Sequence, residues 1–355
     1  MNDKLKNGIA LSLIPQIVLV KILASFPEFI EKYYSQGFYP LVSRLFRTLL
    51  GWIPFSVGDL IYALLIILAI RYLYRNWRQI GKKPKVFVRD VFMVLSIVYL
   101  TFHINWGFNY YRLPLSKSLE LTEKHDFKQL VDFTETLIQA SNQIHVKINS
   151  DSTRKIDIPY SQKEIFKKTI AGFDALQEQW PTLAYDSPCA KTSLFSTMLS
   201  YMGYGGYLNP FTNEAQVNGR LPNFRFPVVA GHEIGHQIGY AAENETNFIG
   251  YLVTLNNDDV YFQYTALTYA LGYCLSDIRR KDKKQFEELY GKVNKGIQLE
   301  FQAMNEFWKA FENPLEPVFK SIFNTYLKAN NQEDGLKSYS RVVTLLVTYH
   351  QDHPL

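Results

Sequence analysis

The chain has 355 residues, which is enough for a membrane region and one further domain of ordinary size. Its net charge is +5 and its aromatic content is 15%, but no DNA- or RNA-binding motif is present, so we expect no nucleic-acid partner. The two cysteines, Cys189 and Cys274, are too few and too far apart for a disulfide framework or a thiolate zinc site, and we expect two buried thiols.

Three apolar stretches predict membrane-spanning helices, at residues 9–26, 52–74 and 91–108. The second contains LIYALLIILAI and the third contains VFMVLSIVYLTF, and aromatic residues flank both, as is typical of membrane interfaces. The first is short enough to be the hydrophobic region of a signal peptide, but no cleavage site of the usual form follows it. We therefore interpret it as an uncleaved span and residues 1–112 as a membrane region.

Basic residues predict the orientation of these spans. The segment between the second and third spans is rich in lysine and arginine: Arg71, Arg75, Arg78, Lys82, Lys83, Lys85 and Arg89. By the positive-inside rule this segment is cytoplasmic, and the third crossing then places everything after Tyr110 outside the cytoplasm. Asp59 lies near the start of the second span, where we interpret it as a helix cap, although a charged group in a span is often functional.

Residues 113–355 are predicted to form one mostly helical domain. Periodicity and composition indicate helices at residues 127–144, 162–179, 260–277, 284–311, 314–327 and 338–349. The glycine-interrupted residues 203–208 predict an edge strand that a substrate backbone could extend, although a turn-rich loop also fits. Glu214 and Asn218 follow this strand and are candidates for substrate contact. The fold class is thus mainly α (α+β): transmembrane helices followed by a mostly helical domain with a small sheet or edge strand.

The stretch VVAGHEIGHQIGYAAENETNFIGYL, residues 228–252, contains the motif His-Glu-x-x-His as His232, Glu233 and His236. Positions i and i+4 share one face of a helix, so both imidazoles can bind one zinc ion while Glu233 acts as general base. Gly239 is well placed to end this helix in a left-handed conformation, and the two glycines inside the motif region allow close approach of another element. Two histidines packed on an amphipathic helix are the alternative interpretation.

A catalytic zinc site needs a third protein ligand, for which Glu243 and Glu245 are the candidates. Two residues apart on a helix, they point about 200° apart, so only one can face the ion. The side that carries Glu243 has small residues suited to packing on the first helix, and Asn247 on it could hydrogen-bond a ligating histidine. We therefore favour Glu243 and keep Glu245 as the alternative; both could instead be solvated carboxylates at a helix start.

The motif, a short spacer and Glu-x-x-x-Asn resemble the gluzincin arrangement of zinc metallopeptidases, in which Glu-x-x-x-Asp supplies the third ligand and a supporting residue; here Asn247 replaces the aspartate. More closely, the chain resembles a family of bacterial multi-span membrane proteins of unknown function with a zincin-like domain. This resemblance is carried by IPFSVGDLIY, NWGFNYYR, GYGGYLNPFTNEAQVN, HEIGHQIGYAAENETNFIGYL and YLKANNQEDGLKSYSRVV. It implies a zincin-like metallopeptidase domain in the bacterial inner membrane, but it brings no substrate.

We therefore predict a membrane-anchored zinc metallopeptidase that acts on a peptide or protein outside the cytoplasm. One Zn²⁺ would be held by His232, His236 and Glu243, with Glu233 as general base. Tyrosines are candidates for stabilising the oxyanion: Tyr261, Tyr264 and Tyr339. The alternative is a non-catalytic zincin-like binding or scaffold protein of the cell envelope. An intramembrane protease is excluded, because polar residues interrupt any apolar run of about 20 residues at the motif.

Overall fold

The computed structural model describes residues 2–122, 124–332 and 341–355 of the chain, and these are mainly α-helical with one small sheet, as the sequence predicts. The N-terminal part contains these helices: α1 (Asp3–Leu11), α2 (Leu13–Ala24), α3 (Pro27–Phe29), a π-helical segment (Ile30–Phe38), α4 (Tyr39–Leu50), α5 (Val57–Lys82), α6 (Pro84–Asn105) and a 3₁₀ segment (Gly107–Tyr111).

The remaining part contains further helices and the three strands of the sheet. Its helices are α7 (Leu115–Ser118), α8 (Phe127–Ile148), α9 (Gln162–Leu176), a 3₁₀ turn (Pro181–Leu183), α10 (Ser196–Met202), α11 (Phe226–Gln237), α12 (Glu243–Leu255), α13 (Val260–Lys281), α14 (Lys283–Gly291), α15 (Lys295–Lys309), α16 (Glu316–Ala329) and α17 (Val342–Asp352). Its strands are β1 (Ala190–Thr192), β2 (Gly206–Asn209) and β3 (Glu214–Val217).

Three helical stretches are long and apolar enough to cross a membrane: Asp3–Ala24, Val57–Lys82 and Pro84–Asn105. The three predicted apolar helices are thus present as candidate spans, with shifted bounds. The second begins later than predicted because Ser56 caps it, and the Ser56 hydroxyl accepts a hydrogen bond from the Asp59 amide at 2.9 Å. The basic segment that follows is helical apart from Lys83. It therefore forms the end of α5 and the start of α6, which the sequence predicts to be cytoplasmic, rather than a loop.

The sheet lies beside the start of α5. Its strand order is β1-β3-β2, with β1 parallel and β2 antiparallel to β3, and Gly206 of β2 pairs with Val217 of β3. β2 is therefore an edge strand, as the sequence predicts, although it begins at Gly206 rather than at residue 203. The stretch whose structure the sequence left open, residues 193–201, forms the short helix α10.

Helices α11, α12, α13, α8 and α17 pack around one hydrophobic core, and the predicted helices at 127–144, 162–179 and 260–277 are confirmed with small shifts in their ends. α11 and α12 approach most closely at two glycines. A Cβ atom on Gly231 would lie 2.9 Å from Gly250 Cα, and one on Gly250 would lie 2.5 Å from the Val228 carbonyl oxygen. Backbone contact at these glycines lets α12 carry its first turn against the motif of α11.

The single helix predicted at residues 284–311 is wrong, because the chain breaks between α14 and α15. At the break, the side chain of Val293 turns into the core and is only 4% exposed. Asn294 donates its amide proton to Asn142 Oδ1 of α8 at 2.9 Å. Burial of one apolar side chain and a bond to a neighbouring helix outweigh the local preference for continuous helix.

The predicted boundary at residue 112 stays a prediction, and many contacts cross it. Glu214 of β3 accepts hydrogen bonds from the amides of Val57 and Gly58 at the start of α5, at 3.1 and 2.5 Å. Asp59 accepts bonds from the Leu194 amide at 2.7 Å and from the Tyr207 hydroxyl. The interpretation of Asp59 as a helix cap is therefore wrong: its carboxylate joins the start of α5 to the sheet.

Candidate metal centre

The motif helix α11 is buried along nearly its whole length and ends at a glycine. Gly239 adopts φ +99°, the left-handed conformation predicted for it. Its amide donates to the His236 carbonyl at 3.0 Å, and the amide of Tyr240 donates to the Gly235 carbonyl at 3.1 Å. The chain thus turns back sharply, and α12 begins only a few residues later.

His232 and His236 lie one turn apart on α11, and each ring is held through its Nδ1 atom. His232 Nδ1 donates to Asn247 Oδ1 at 2.9 Å, and the same oxygen accepts the Tyr269 hydroxyl at 2.7 Å. His236 Nδ1 donates to the carbonyl oxygen of Tyr240 at 2.8 Å. A ring that carries its only proton on Nδ1 presents the lone pair of Nε2 toward the cleft, as a metal ligand must.

Glu243, the first residue of α12, lies against both imidazoles. Its Oε2 atom is 3.4 Å from His232 Nε2 and 3.7 Å from His236 Nε2. Glu245 points elsewhere: it accepts the Leu115 amide at 2.7 Å, and burial raises its pKa to about 7. Of the two candidate carboxylates, the structure brings only Glu243 to the histidine pair.

Charge and burial act in opposite directions on the groups around this point. Burial alone would lower the pKa of His236, but the adjacent Glu243 carboxylate raises it to about 9. Burial alone would raise the pKa of Glu243, but the two facing imidazoles hold it well below its usual range. Each of the two residues thus favours the charged form of the other.

Glu233 also faces this centre from α11. Ligand atoms of His232, Glu233 and His236 lie within 4.8 Å of one another. Burial raises the pKa of Glu233 to about 7 against the effect of the two histidines, and Glu243 raises it further. Glu233 Oε2 and Glu243 Oε2 are both buried, and neither has a hydrogen-bond partner in the part of the chain that the structure describes. Buried carboxylate oxygens without partners are costly, and they are therefore rare unless a ligand binds them.

These groups lie in a cleft of about 500 Å³. The edge strand β2 forms one wall, and a Cβ atom on Gly206 would lie only 2.5 Å from Glu233 Oε1. Arg225 and Tyr269 also line the cleft, and the Arg225 guanidinium carbon lies 4.3 Å from the centre of the Tyr269 ring. Phe102 of α6 and Tyr326 of α16 also line the cleft. An extended chain beside β2 would therefore pass directly in front of Glu233.

Several side chains proposed from the sequence lie away from this cleft. Tyr264 donates to Glu300 at 2.7 Å, and Tyr261 packs on Tyr160, so neither lines the cleft. Tyr339 lies outside the described residues. The tyrosines that do line the cleft are Tyr110, Tyr204, Tyr207, Tyr269, Tyr273 and Tyr326. With 24 tyrosines in the chain, the sequence held no signal that would have selected them.

The two polar residues proposed for substrate contact are structural. Glu214 is completely buried and forms an ion pair with Lys191 at 2.5 Å. Asn218 is also buried, and its amide donates to Ser200 Oγ at 2.9 Å. Both expectations are wrong, because these side chains satisfy polar groups inside the fold rather than facing the cleft. Cys189 and Cys274 are free buried thiols, as expected.

Side chains from the N-terminal part bind the last carbonyl groups of α11, which the sequence analysis missed. Trp106 Nε1 donates to the His236 carbonyl at 3.0 Å, and the Tyr39 hydroxyl donates to the next carbonyl, that of Gln237, at 2.7 Å. Arg112 donates to the Gly239 carbonyl at 2.9 Å. These bonds replace water at the helix end, and they join residues more than a hundred positions apart, which no local pattern reveals.

Comparison with known sequences places the chain in a family. No curated protein and no solved structure matches it. The sequence profile of one family, described as a protein of unknown function (DUF3810), matches residues 34–347 and so covers the cleft, the sheet and two of the three candidate spans. The chain belongs to the DUF3810 family of proteins of unknown function.

Proposed function

We propose that this protein is a membrane-anchored zinc metallopeptidase of the HExxH zincin type. One observation carries the proposal: three potential ligand atoms converge in the cleft, namely His232 Nε2, His236 Nε2 and Glu243 Oε2. The carboxylate oxygen lies 3.4 Å from the first nitrogen and 3.7 Å from the second. Two imidazoles and one carboxylate are the protein ligands of many catalytic zinc sites, which keep a fourth position open.

The chemistry of these residues fits such an ion. Each histidine ring has its Nδ1 bound to a protein oxygen, which fixes the tautomer that a zinc ligand needs. The Glu243 oxygen that faces them has no other partner among the described residues. A cation between these three atoms would balance the charge of the buried carboxylate, and it would take the place of any proton on the Nε2 atoms, which would leave to solvent.

A zinc ion held there would supply Lewis-acid activation of a water molecule and of a substrate carbonyl group. The protein itself supplies the proton transfers. Glu233 Oε2, buried and without a partner among the described residues, is placed to accept a proton from that water and to deliver it to the departing amine nitrogen. The nearby strand β2 can hold the substrate backbone by adding it to the free edge of the sheet.

We further propose that the cleft lies outside the cytoplasm of a bacterium, in a protein of the inner membrane. Arginine and lysine are concentrated where α5 meets α6, and the cleft lies at the opposite ends of these helices. A membrane-impermeant thiol reagent tests this in intact cells. The reagent should label a cysteine introduced at exposed Glu287, and no labelling there with efficient labelling at Arg78→Cys would reverse the orientation.

The activity is tested with the full-length protein in detergent or nanodiscs and a peptide mixture whose products are identified by mass spectrometry. Glu233→Gln should retain zinc and lose cleavage by about 10²–10⁴-fold, because the general base is removed while the ligands stay. Glu245→Gln is the matched control: it is buried on the neighbouring helix, away from the histidines, and should keep both zinc and cleavage.

Two results would count against the proposal. Undiminished cleavage by Glu233→Gln would show that another group is the base. Zinc retained by the wild type without cleavage of any peptide would favour the non-catalytic binding or scaffold function instead.

A further inference from the structure

Helix α4 has its polar and apolar faces reversed relative to an ordinary surface helix. Its buried residues are Tyr39, Ser43 and Arg47. Leucines four positions apart form the opposite face, and they are largely exposed: Leu41 (69%), Leu45 (57%) and Leu49 (55%). Surface helices of soluble domains bury such a stripe, so this one needs a cover that the described part of the chain does not provide.

The buried face of α4 is fixed to the rest of the protein by polar contacts. Ser43 Oγ donates to Asn213 Oδ1 at 2.7 Å, and Arg47 lies 5.1 Å from the ring centre of Tyr185. Beside this face, the exposed Arg44 guanidinium also pairs with Asp186 at 2.5 Å. α4 therefore cannot rotate to bury its leucines without breaking these contacts, and the leucine stripe (Leu41, Leu45 and Leu49) is a fixed outer surface.

Helix α16 presents a second apolar stripe. Leu315, Val318 and Ile322 lie three and four residues apart, which puts them on one face, and each is more than half exposed. The same helix lines the cleft with Phe323 and Tyr326. We call Leu315, Val318 and Ile322 the aliphatic stripe.

Both helices lie at the same end of a candidate membrane span. Tyr34, just before α4, donates to the carbonyl oxygens of His103 and Ile104 in the last turn of α6, at 3.1 and 3.0 Å. Tyr326 of α16 packs on Phe102 of that turn, with ring centres 6.3 Å apart. α4 also lies between two spans in sequence, after Ala24 and before Val57, which keeps it near the membrane surface.

We propose that α4 and α16 lie along the surface of the membrane that α5 and α6 cross, with the leucine stripe and the aliphatic stripe among the lipid acyl chains. Continuity with the spans argues for lipid, since Tyr34, just before α4, and Tyr326 of α16 both contact the last turn of α6. The part of the cleft that Phe323 and Tyr326 of α16 line then lies near the bilayer surface. The proposal does not depend on the metal site.

Fluorescence quenching tests it in full-length protein reconstituted into nanodiscs. An environment-sensitive dye is attached to Leu45→Cys, to Ile322→Cys and, as control, to Glu287→Cys on the polar surface of α14. Both native cysteines are buried, so the unsubstituted protein should take up no dye. Interfacial helices reach about 5–10 Å into the bilayer, so lipids with spin labels on their acyl chains should quench Leu45→Cys and Ile322→Cys at least about twofold, and Glu287→Cys hardly at all.

The outcomes separate lipid from other covers. Quenching at Leu45 and Ile322 no stronger than at Glu287 would overturn the proposal, and quenching at Leu45 alone would overturn it for α16. Disulfide-linked dimers of Leu45→Cys without quenching would assign the leucine stripe to a second copy of the chain and would also overturn it. Unfolding temperatures equal to that of the wild type show that each variant is folded.

Discussion

Two buried carboxylates of this protein differ in how their oxygens are satisfied. At the junction between α5 and the sheet, Glu214 accepts bonds from Lys191 and from the amides of Val57 and Gly58. In the cleft, Glu243 is also buried, yet its Oε2 faces only the two imidazoles, 3.4 and 3.7 Å away, and makes no hydrogen bond of good geometry among the described residues. Satisfied buried charges hold a structure together, whereas an unsatisfied one marks a place where a ligand completes the set.

The largest expected effect comes from breaking the satisfied member of this pair. Glu214→Ala leaves the Lys191 ammonium group buried without its counter-charge and should lower the free energy of unfolding by about 3–5 kcal/mol. Denaturant unfolding in detergent measures this. Glu287→Ala on the exposed surface is the control, with an expected change within about 0.5 kcal/mol. A Glu214→Ala variant as stable as that control would show that the buried pair of Glu214 and Lys191 does not stabilise the fold.

A smaller effect is expected from the packing that places Glu243. A methyl group on Gly250 would lie 2.5 Å from the Val228 carbonyl and 2.9 Å from the His232 amide, so Gly250→Ala must push α12 away from α11. We expect about 1–3 kcal/mol of destabilisation from overpacking. Zinc affinity, measured by competition with a chelator, should also fall, because Glu243 moves away from the imidazoles.

Gly291→Ala is the matched control for this substitution. Nothing lies within 4 Å of a methyl group at that position, which is at the end of α14. It should leave zinc affinity unchanged and stability equal or slightly higher, because alanine favours helix over glycine. Unchanged zinc affinity in Gly250→Ala would show that the contact between α11 and α12 does not position the ligand.

An effect that appears only as a pH dependence concerns a third kind of buried carboxylate, bonded only to neutral donors. Glu300 accepts the Ile156 amide at 2.8 Å and the Tyr264 hydroxyl at 2.7 Å, and burial raises its pKa from 4.5 to about 7. A pKa higher in the folded than in the unfolded chain means that the folded state binds more protons between these values. Stability therefore falls as pH rises from about 4.5 to about 7, by about 1–3 kcal/mol for this group.

Glu300→Gln keeps the acceptor oxygen but cannot ionise. The variant should therefore lose less stability than the wild type as pH rises. Free energies of unfolding at pH 5 and pH 8, compared between the variant and the wild type, measure the difference. An equal decline in both proteins would show that Glu300 does not carry it, and the decline would then belong to other buried carboxylates such as Glu245.

Local patterns predicted much of this molecule. Apolar runs located the three candidate spans, and helical periodicity located most of the helices, because both depend on neighbouring residues. The spacing of His232 and His236 predicted that both imidazoles would share one face of α11, and Gly239 predicted its end. The preference for Glu243 over Glu245 rested on which face of α12 carries small residues, and the structure places Glu243 beside the histidines.

Contacts between distant segments could not be predicted in this way. The break at Val293 depends on packing against α8, and the true partner of Glu214 is a lysine of another strand. The bonds from Trp106 and Tyr39 to the end of α11 also required the fold. Each of these depends on which surfaces meet in three dimensions, information that neither composition nor periodicity contains.

The central claim is that His232, His236 and Glu243 hold a zinc ion. The most direct measurement is an anomalous difference map at the zinc absorption edge from crystals of the full-length protein grown with zinc. The account predicts a single strong peak within coordination distance, about 2.0–2.2 Å, of His232 Nε2, His236 Nε2 and a Glu243 carboxylate oxygen. A map without a peak between these atoms, or with the ion at Glu245 instead, would contradict it.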